Sequence, residues 1–144
     1  MKKIKLLNQE QKLEKNELKL FEKNSNISLP NDYKEFILLN NGGVPEENLF
    51  KGTNFEARIA DFYSIKYGRF PMENLLEMLH SEESLPKHFY PFGSNLGGSD
   101  YVFSIKEEDY GVVYFYHYDG SPPYKLADSF KEFIDSLEKE DYTF

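Results

Sequence analysis

The chain has no cysteine and no tryptophan. Without cysteine there is no disulfide framework and no cysteine-ligated metal site, which is compatible with a reducing compartment. No apolar run reaches 18 residues, so nothing in the sequence reads as a membrane-spanning helix. The start, Met1-Lys2-Lys3-Ile4-Lys5-Leu6-Leu7, is basic, but Asn8-Gln9-Glu10-Gln11 closes the apolar run after two leucines. No secretory signal is expected there, and the expected location is cytoplasmic. Internal repeats, low-complexity runs and Pro/Ser-rich linkers are also missing. One domain over residues 1–144 is the expected organisation.

The usual marks of catalysis are missing too. Gly93-Ser94-Asn95-Leu96-Gly97-Gly98-Ser99 is glycine-rich, but it lacks the G-K-[ST] of a phosphate loop and the G-x-G-x-x-G of a dinucleotide fold. It reads as a structural turn. His80, His88 and His117 have no H-x-x-x-H spacing. No serine lies in a G-x-S-x-G elbow, and no acidic run has EF-hand spacing. Adjacent carboxylates at Glu46-Glu47, Glu82-Glu83 and Glu107-Glu108-Asp109 fall in polar turns, where such pairs point to water. No catalytic residue, metal ligand or cofactor site is assigned.

What is abundant is aromatic and acidic. Thirteen Phe and eleven Tyr favour a compact fold rich in sheet. The formal net charge is −8, unevenly spread: residues 1–25 hold seven Lys and four Glu, a net of +3, and the rest carries −11. An acidic body disfavours direct nucleic-acid binding, which needs clustered Lys and Arg. It favours a basic partner, although acidity also simply keeps a protein soluble.

Periodicity gives the elements. A thin apolar stripe of Leu13, Leu20 and Phe21 predicts a helix from about Asn8 to Lys23. The stretch from Leu29 to Asn41 reads as a second helix, with Pro30 at the entry, Tyr33, Phe36 and Ile37 on one face, and Asn41-Gly42-Gly43 as the stop. Residues 54–65 alternate partly and predict one or two strands. Pro71 opens a third helix with Met72, Leu75, Leu76 and Leu79 on one face. Tyr101–Ile105 and Val112–Tyr118 predict two antiparallel neighbours joined by a charged turn. Tyr114, Tyr116 and Tyr118 share one face of the latter strand, either as a half-buried sheet face or as interface anchors. Ser129-Phe130-Lys131-Glu132 is a capping box that starts a last helix bearing Phe130, Phe133, Ile134 and Leu137. The fold class is therefore α+β, an antiparallel or mixed sheet flanked by N-terminal helices and a C-terminal one.

Leu29-Pro30, Asp32-Tyr33, Phe36 and Asn41-Gly42-Gly43 together resemble the signature of the SUKH superfamily, the Smi/Knr-like proteins. Phe89–Tyr101, Gly111–Tyr116 and Ala127–Phe133 resemble that family's later motifs in the same order, and the resemblance spans about residues 17–138. One departure is clear. The family's V-Y-x-W-D-H run reads Val113-Tyr114-Phe115-Tyr116-His117-Tyr118 here, so no role resting on the Asp-His pair carries over. Most bacterial members look like immunity proteins that neutralise secreted toxins, and some relatives act as scaffold or regulatory modules. The resemblance implies a non-catalytic protein that occludes a toxin domain, and the acidic body fits a basic nuclease domain as that partner. The alternatives are a scaffold or regulatory binding module and, from another class, a carbohydrate-active enzyme using a carboxylate pair. Monomer or weak dimer is expected, with neither nucleic acid nor membrane as a direct partner. The expected partner-binding surface comprises Glu46, Glu47, Glu56, Glu107, Glu108, Asp109, Tyr116 and Asp119.

Overall fold

Residues 1–140 are described by the structure, a computed structural model. Four helices pack with three antiparallel sheets. The helices are α1 (Lys15–Ser25), α2 (Asn31–Leu39), α3 (Met72–Ser81) and α4 (Phe130–Ser136). The strands are β1 (Leu6–Leu7), β2 (Val44–Pro45), β3 (Leu49–Lys51), β4 (Glu56–Arg58), β5 (Asp61–Phe62), β6 (Phe89–Ser94), β7 (Asp100–Ser104), β8 (Val113–Tyr116) and β9 (Tyr124–Ala127). β1 pairs with β2 and β3 with β4, while β5-β6-β7-β8-β9 form one five-stranded sheet in chain order. Every pairing is antiparallel, so the α+β class stands and the sheet contains no parallel pair.

The helices follow their punctuation in three of four cases. α2, α3 and α4 start beside Pro30, Pro71 and Ser129, and Ser129 Oγ accepts the N–H of Glu132 at 3.1 Å. Their apolar faces are buried: Tyr33, Phe36 and Ile37; Met72, Leu75, Leu76 and Leu79; Phe130, Phe133 and Ile134. α1 differs from expectation. It begins at Lys15, not near Asn8, because the preceding chain is drawn into other pairings. Leu6–Leu7 pairs with β2, Asn8 takes a positive φ of 59°, and Glu10 N–H bonds Asn41 O at 3.0 Å. Glu17 then reaches back to Glu14 N–H at 3.0 Å and fixes the start. The helix therefore buries Leu18 and Phe21, and Leu20 is 56% exposed instead of lining the core.

The stop of α2 also works differently. Asn40 ends the helix in an extended conformation, not a left-handed glycine cap. Asn41 is buried and acts as a clasp: its amide donates to Gln11 O and Ile65 O, and its Oδ1 accepts Ile65 N–H, all at 2.9–3.0 Å. Gly43 serves the chain beside it, since a Cβ there would lie 2.5 Å from Leu7 O.

Alternation divides the residues of the five-stranded sheet between two faces. One face meets α2 and α4 through a continuous ring cluster. Phe103 contacts Tyr33, Tyr90 and Phe92; Phe92 contacts Phe130 and Phe133; Tyr101 contacts Phe133 and Phe115. The register slips between Pro91 and Gly93, and the bulge falls beside the proline, where no N–H is available to the ladder. The opposite face carries Phe89, Tyr114, Tyr116 and Asp100, and α3 crosses it.

Candidate functional site

α3 leaves part of its sheet face uncovered. Between the two runs a groove of about 670 Å³, lined by Leu75, Met78 and Leu79 of α3 and by Tyr63, Tyr116 and Tyr118 from the sheet side. The loop after α3 returns over the sheet, and Tyr116 OH reaches Ser84 O at 3.5 Å. At the sheet side of this groove lies Asp100, only 6% exposed. Tyr63 OH donates to one carboxylate oxygen at 2.6 Å and Tyr118 OH to the other at 2.5 Å. Ser94 OH donates to the neighbouring Asp61.

The electrostatics of this cluster are those of a buried carboxyl group held by neutral donors. Burial pushes the Asp100 carboxyl above its ordinary value, and nearby Asp61 adds to the push. The two tyrosine hydroxyls favour the charged form but do not reverse the shift. Both phenols are pushed up in turn, by burial first and then by the Asp100 charge. Among the described residues, no Lys, Arg or His lines the groove.

A second groove of about 520 Å³ continues from the same tyrosine and includes Phe89, Tyr114, Tyr116, Asp109 and Pro122-Pro123. Asp109 accepts hydrogen bonds from Ser104 Oγ at 2.5 Å and Tyr114 OH at 2.6 Å. Burial works to raise its pKa, but those bonds and Lys106 outweigh it and hold the carboxyl below its ordinary range. The bond to Asp109, ahead of burial, pushes the Tyr114 phenol up to about 12.

The structure separates the eight residues expected to meet a partner. Asp109 and Tyr116 share the second groove, which runs on to Gly120 beside Asp119. Asp119 is engaged in its own turn, accepting from Ser121 N–H at 3.0 Å and Ser121 Oγ at 2.6 Å. Glu107 and Glu108 stand exposed in a short 3₁₀ turn between β7 and β8. Glu46 and Glu47 lie at the β1–β2 pair, facing Lys5 at 3.7 Å and Lys2 at 2.5 Å, so their charge is partly neutralised. Glu56 is exposed on β4, in the β3–β4 hairpin. Neither groove is lined by Glu46, Glu47 or Glu56.

Sequence reasoning missed Tyr63 and Asp100. A signal for Asp100 was present: it heads an otherwise apolar strand, Asp100-Tyr101-Val102-Phe103, where a carboxylate needs a reason. Tyr63 carried no such mark. Its partner lies 37 residues away, and only the pairing of β5 with β6 and of β6 with β7 brings the two together.

An all-antiparallel five-stranded sheet, closed by helices on one face and half-open on the other, defines an α+β domain with a ready concave surface. The chain belongs to the SMI1 / KNR4 family (SUKH-1), whose family model matches residues 12–136. A comparison with curated proteins returns no match. Among the described residues, no helix is long and apolar enough to cross a membrane.

Proposed function

We propose that this protein is an immunity protein, which binds a toxin domain in the cytoplasm of the producing bacterium and blocks it by occlusion. The observation that carries the reading is membership of the SMI1 / KNR4 family over residues 12–136. Two features support it. The body of the chain is acidic, which steers a basic partner such as a nuclease domain toward it. The sheet presents half-exposed tyrosines beside open grooves, and tyrosine anchors interfaces well because its ring is apolar and its hydroxyl polar. No catalytic step is assigned to the protein.

Glu46, Glu47, Glu56, Glu107, Glu108, Asp109, Tyr116 and Asp119 are proposed to contribute to the encounter. Exposed Glu107 and Glu108 steer, while Tyr116 makes a short-range contact. The test is co-expression with the C-terminal domain encoded by the neighbouring gene. Growth should be rescued, and inhibition in vitro should titrate at a fixed stoichiometry. Protection by sub-stoichiometric amounts through many turnovers would overturn the non-catalytic reading.

A further inference from the structure

Among the described residues, no Lys or Arg pairs with the buried carboxylate of Asp100. Its two oxygens receive one phenol each, and none of the ion pairs among the described residues involves it. Taking a carboxylate out of water without a counter-charge is costly, and folds usually pair such a group or avoid it. Here the uncompensated anion lies in the wall of an open groove, not in the closed core. Tyrosine rings surround it, and Glu83 adds a second carboxylate to the lining. Each Asp100 oxygen has a further lone pair beyond the one its phenol uses.

We propose that this groove receives an arginine side chain from a loop of the partner protein, its guanidinium meeting Asp100 between Tyr63, Tyr116 and Tyr118. The inference rests on the reading of the protein as a toxin-binding module and deepens it by naming the anchor. Arginine suits the groove better than lysine does. Its planar guanidinium forks onto a carboxylate, stacks on aromatic faces, and loses less hydration than an ammonium on entering. The rim offers contacts for the rest of the loop. Leu96, at the tip of the β6–β7 turn, is 91% exposed, and Asn95 and Gly98 of the same turn line the groove. Met78 of α3 is also exposed and lines it as well. The groove, at about 670 Å³, exceeds one side chain and admits the flanking residues of a loop. Glu107 and Glu108 line neither groove, so they fit the long-range steering role and not the anchoring one.

The experiment is an amide NMR titration of the isotope-labelled full chain with a blocked Gly-Arg-Gly peptide. The matching citrulline peptide keeps the shape and removes the charge. Saturable shifts are expected in residues 94–101 and 116–120, with at least about tenfold weaker binding of the citrulline peptide, the size of a lost charge-assisted bond. Asp100→Asn should weaken the arginine peptide about tenfold, and Glu35→Gln, on the exposed side of α2, should not. Tyr116→Leu, which removes neither of the phenol hydrogen bonds to Asp100, provides a second variant and should weaken binding as well. Equal binding of the two peptides, shifts confined to the Glu107–Asp109 turn, or no saturable shift would overturn the proposal. Toxin neutralisation separates the two readings. If wild type neutralises the toxin and Asp100→Asn does so equally well, the arginine anchor is wrong and the immunity reading stands. If the arginine peptide binds as described but no toxin is neutralised, the anchor stands and the immunity reading fails.

Discussion

On the face of the central sheet turned toward α2 and α4, Phe92, Tyr101, Phe103 and Phe115 are all buried and touch ring against ring. On the other face, one residue along each strand, Tyr114 and Tyr116 are half-exposed and Asp100 places a carboxyl group in the groove wall. The same strands supply both faces. What differs is the cover: two aromatic-bearing helices close the first, while α3 and its returning loop cover only part of the second. A closed aromatic face supplies stability through burial, roughly 25 cal/mol for each Å² of apolar surface removed from water. The open face instead leaves Tyr114 and Tyr116 half-exposed beside its grooves.

The contrast between the faces can be broken most directly by truncation. Phe103→Ala, in the closed cluster, should cost about 3–5 kcal/mol of unfolding free energy in urea titration. Near-wild-type stability would show that the ring cluster is not the core. Tyr118→Phe, on the open face, should cost less, about 1–2 kcal/mol, by removing one of the two donors to Asp100. A loss as large as that of Phe103→Ala would mean that the tyrosine–carboxylate cluster is structural and not held for a partner.

Two carboxylates sharpen the comparison through pH. Glu17, on α1, bonds Lys66 and Tyr67, and those bonds lower its pKa from 4.5 to about 2. Its contribution is fully present above pH 4.5 and is lost as pH falls toward about 2, because protonation breaks the arrangement. Asp100 runs the other way. Its folded pKa is raised above 3.8, so the folded state holds the extra proton and stability falls as pH rises through the window above 3.8. Thermal unfolding across that range should show Glu17→Gln flattening the acid limb and Asp100→Asn flattening the fall above it. Slopes of the same sign for both would contradict the assignment. The smallest effect is expected from Glu107→Lys with Glu108→Lys, exposed in their turn: within about 0.5 kcal/mol in stability, with slower association to the toxin at low salt. An unchanged association rate at low salt would remove this turn from the encounter.

How far the chain could be read in advance follows from the range of the forces involved. Pro30, Pro71 and Ser129 mark helix starts through their own φ restriction or hydroxyl, so α2, α3 and α4 could be placed from local chemistry. The antiparallel pairing of β7 and β8 was legible because their short connection leaves no other option. The start of α1 departs from the apolar periodicity because its N-terminal boundary depends on Asn41 holding Gln11, 30 residues away, a contact that no periodicity announces. β9 carried no strand expectation; Tyr124 and Lys125 of this short edge strand pair with β8 across a register shift. The acidic residues were visible as residues but not as a surface, since charge composition does not say which turns converge.

By itself the sequence determined the class of fold, the starts of α2, α3 and α4, the buried faces of three helices and the division of Tyr114 and Tyr116 from Val113 and Phe115, all consequences of bonds and spacings within a few residues. Only the tertiary structure decided which face of the sheet would be closed and which left open. It also decided that Tyr63, Asp100 and Tyr118, separated by 37 and 18 residues, would meet in one groove. The physical reason is that strand order and helix placement are settled by the competition to bury Phe and Tyr across the whole chain, and the polar groups take whatever positions that packing leaves them.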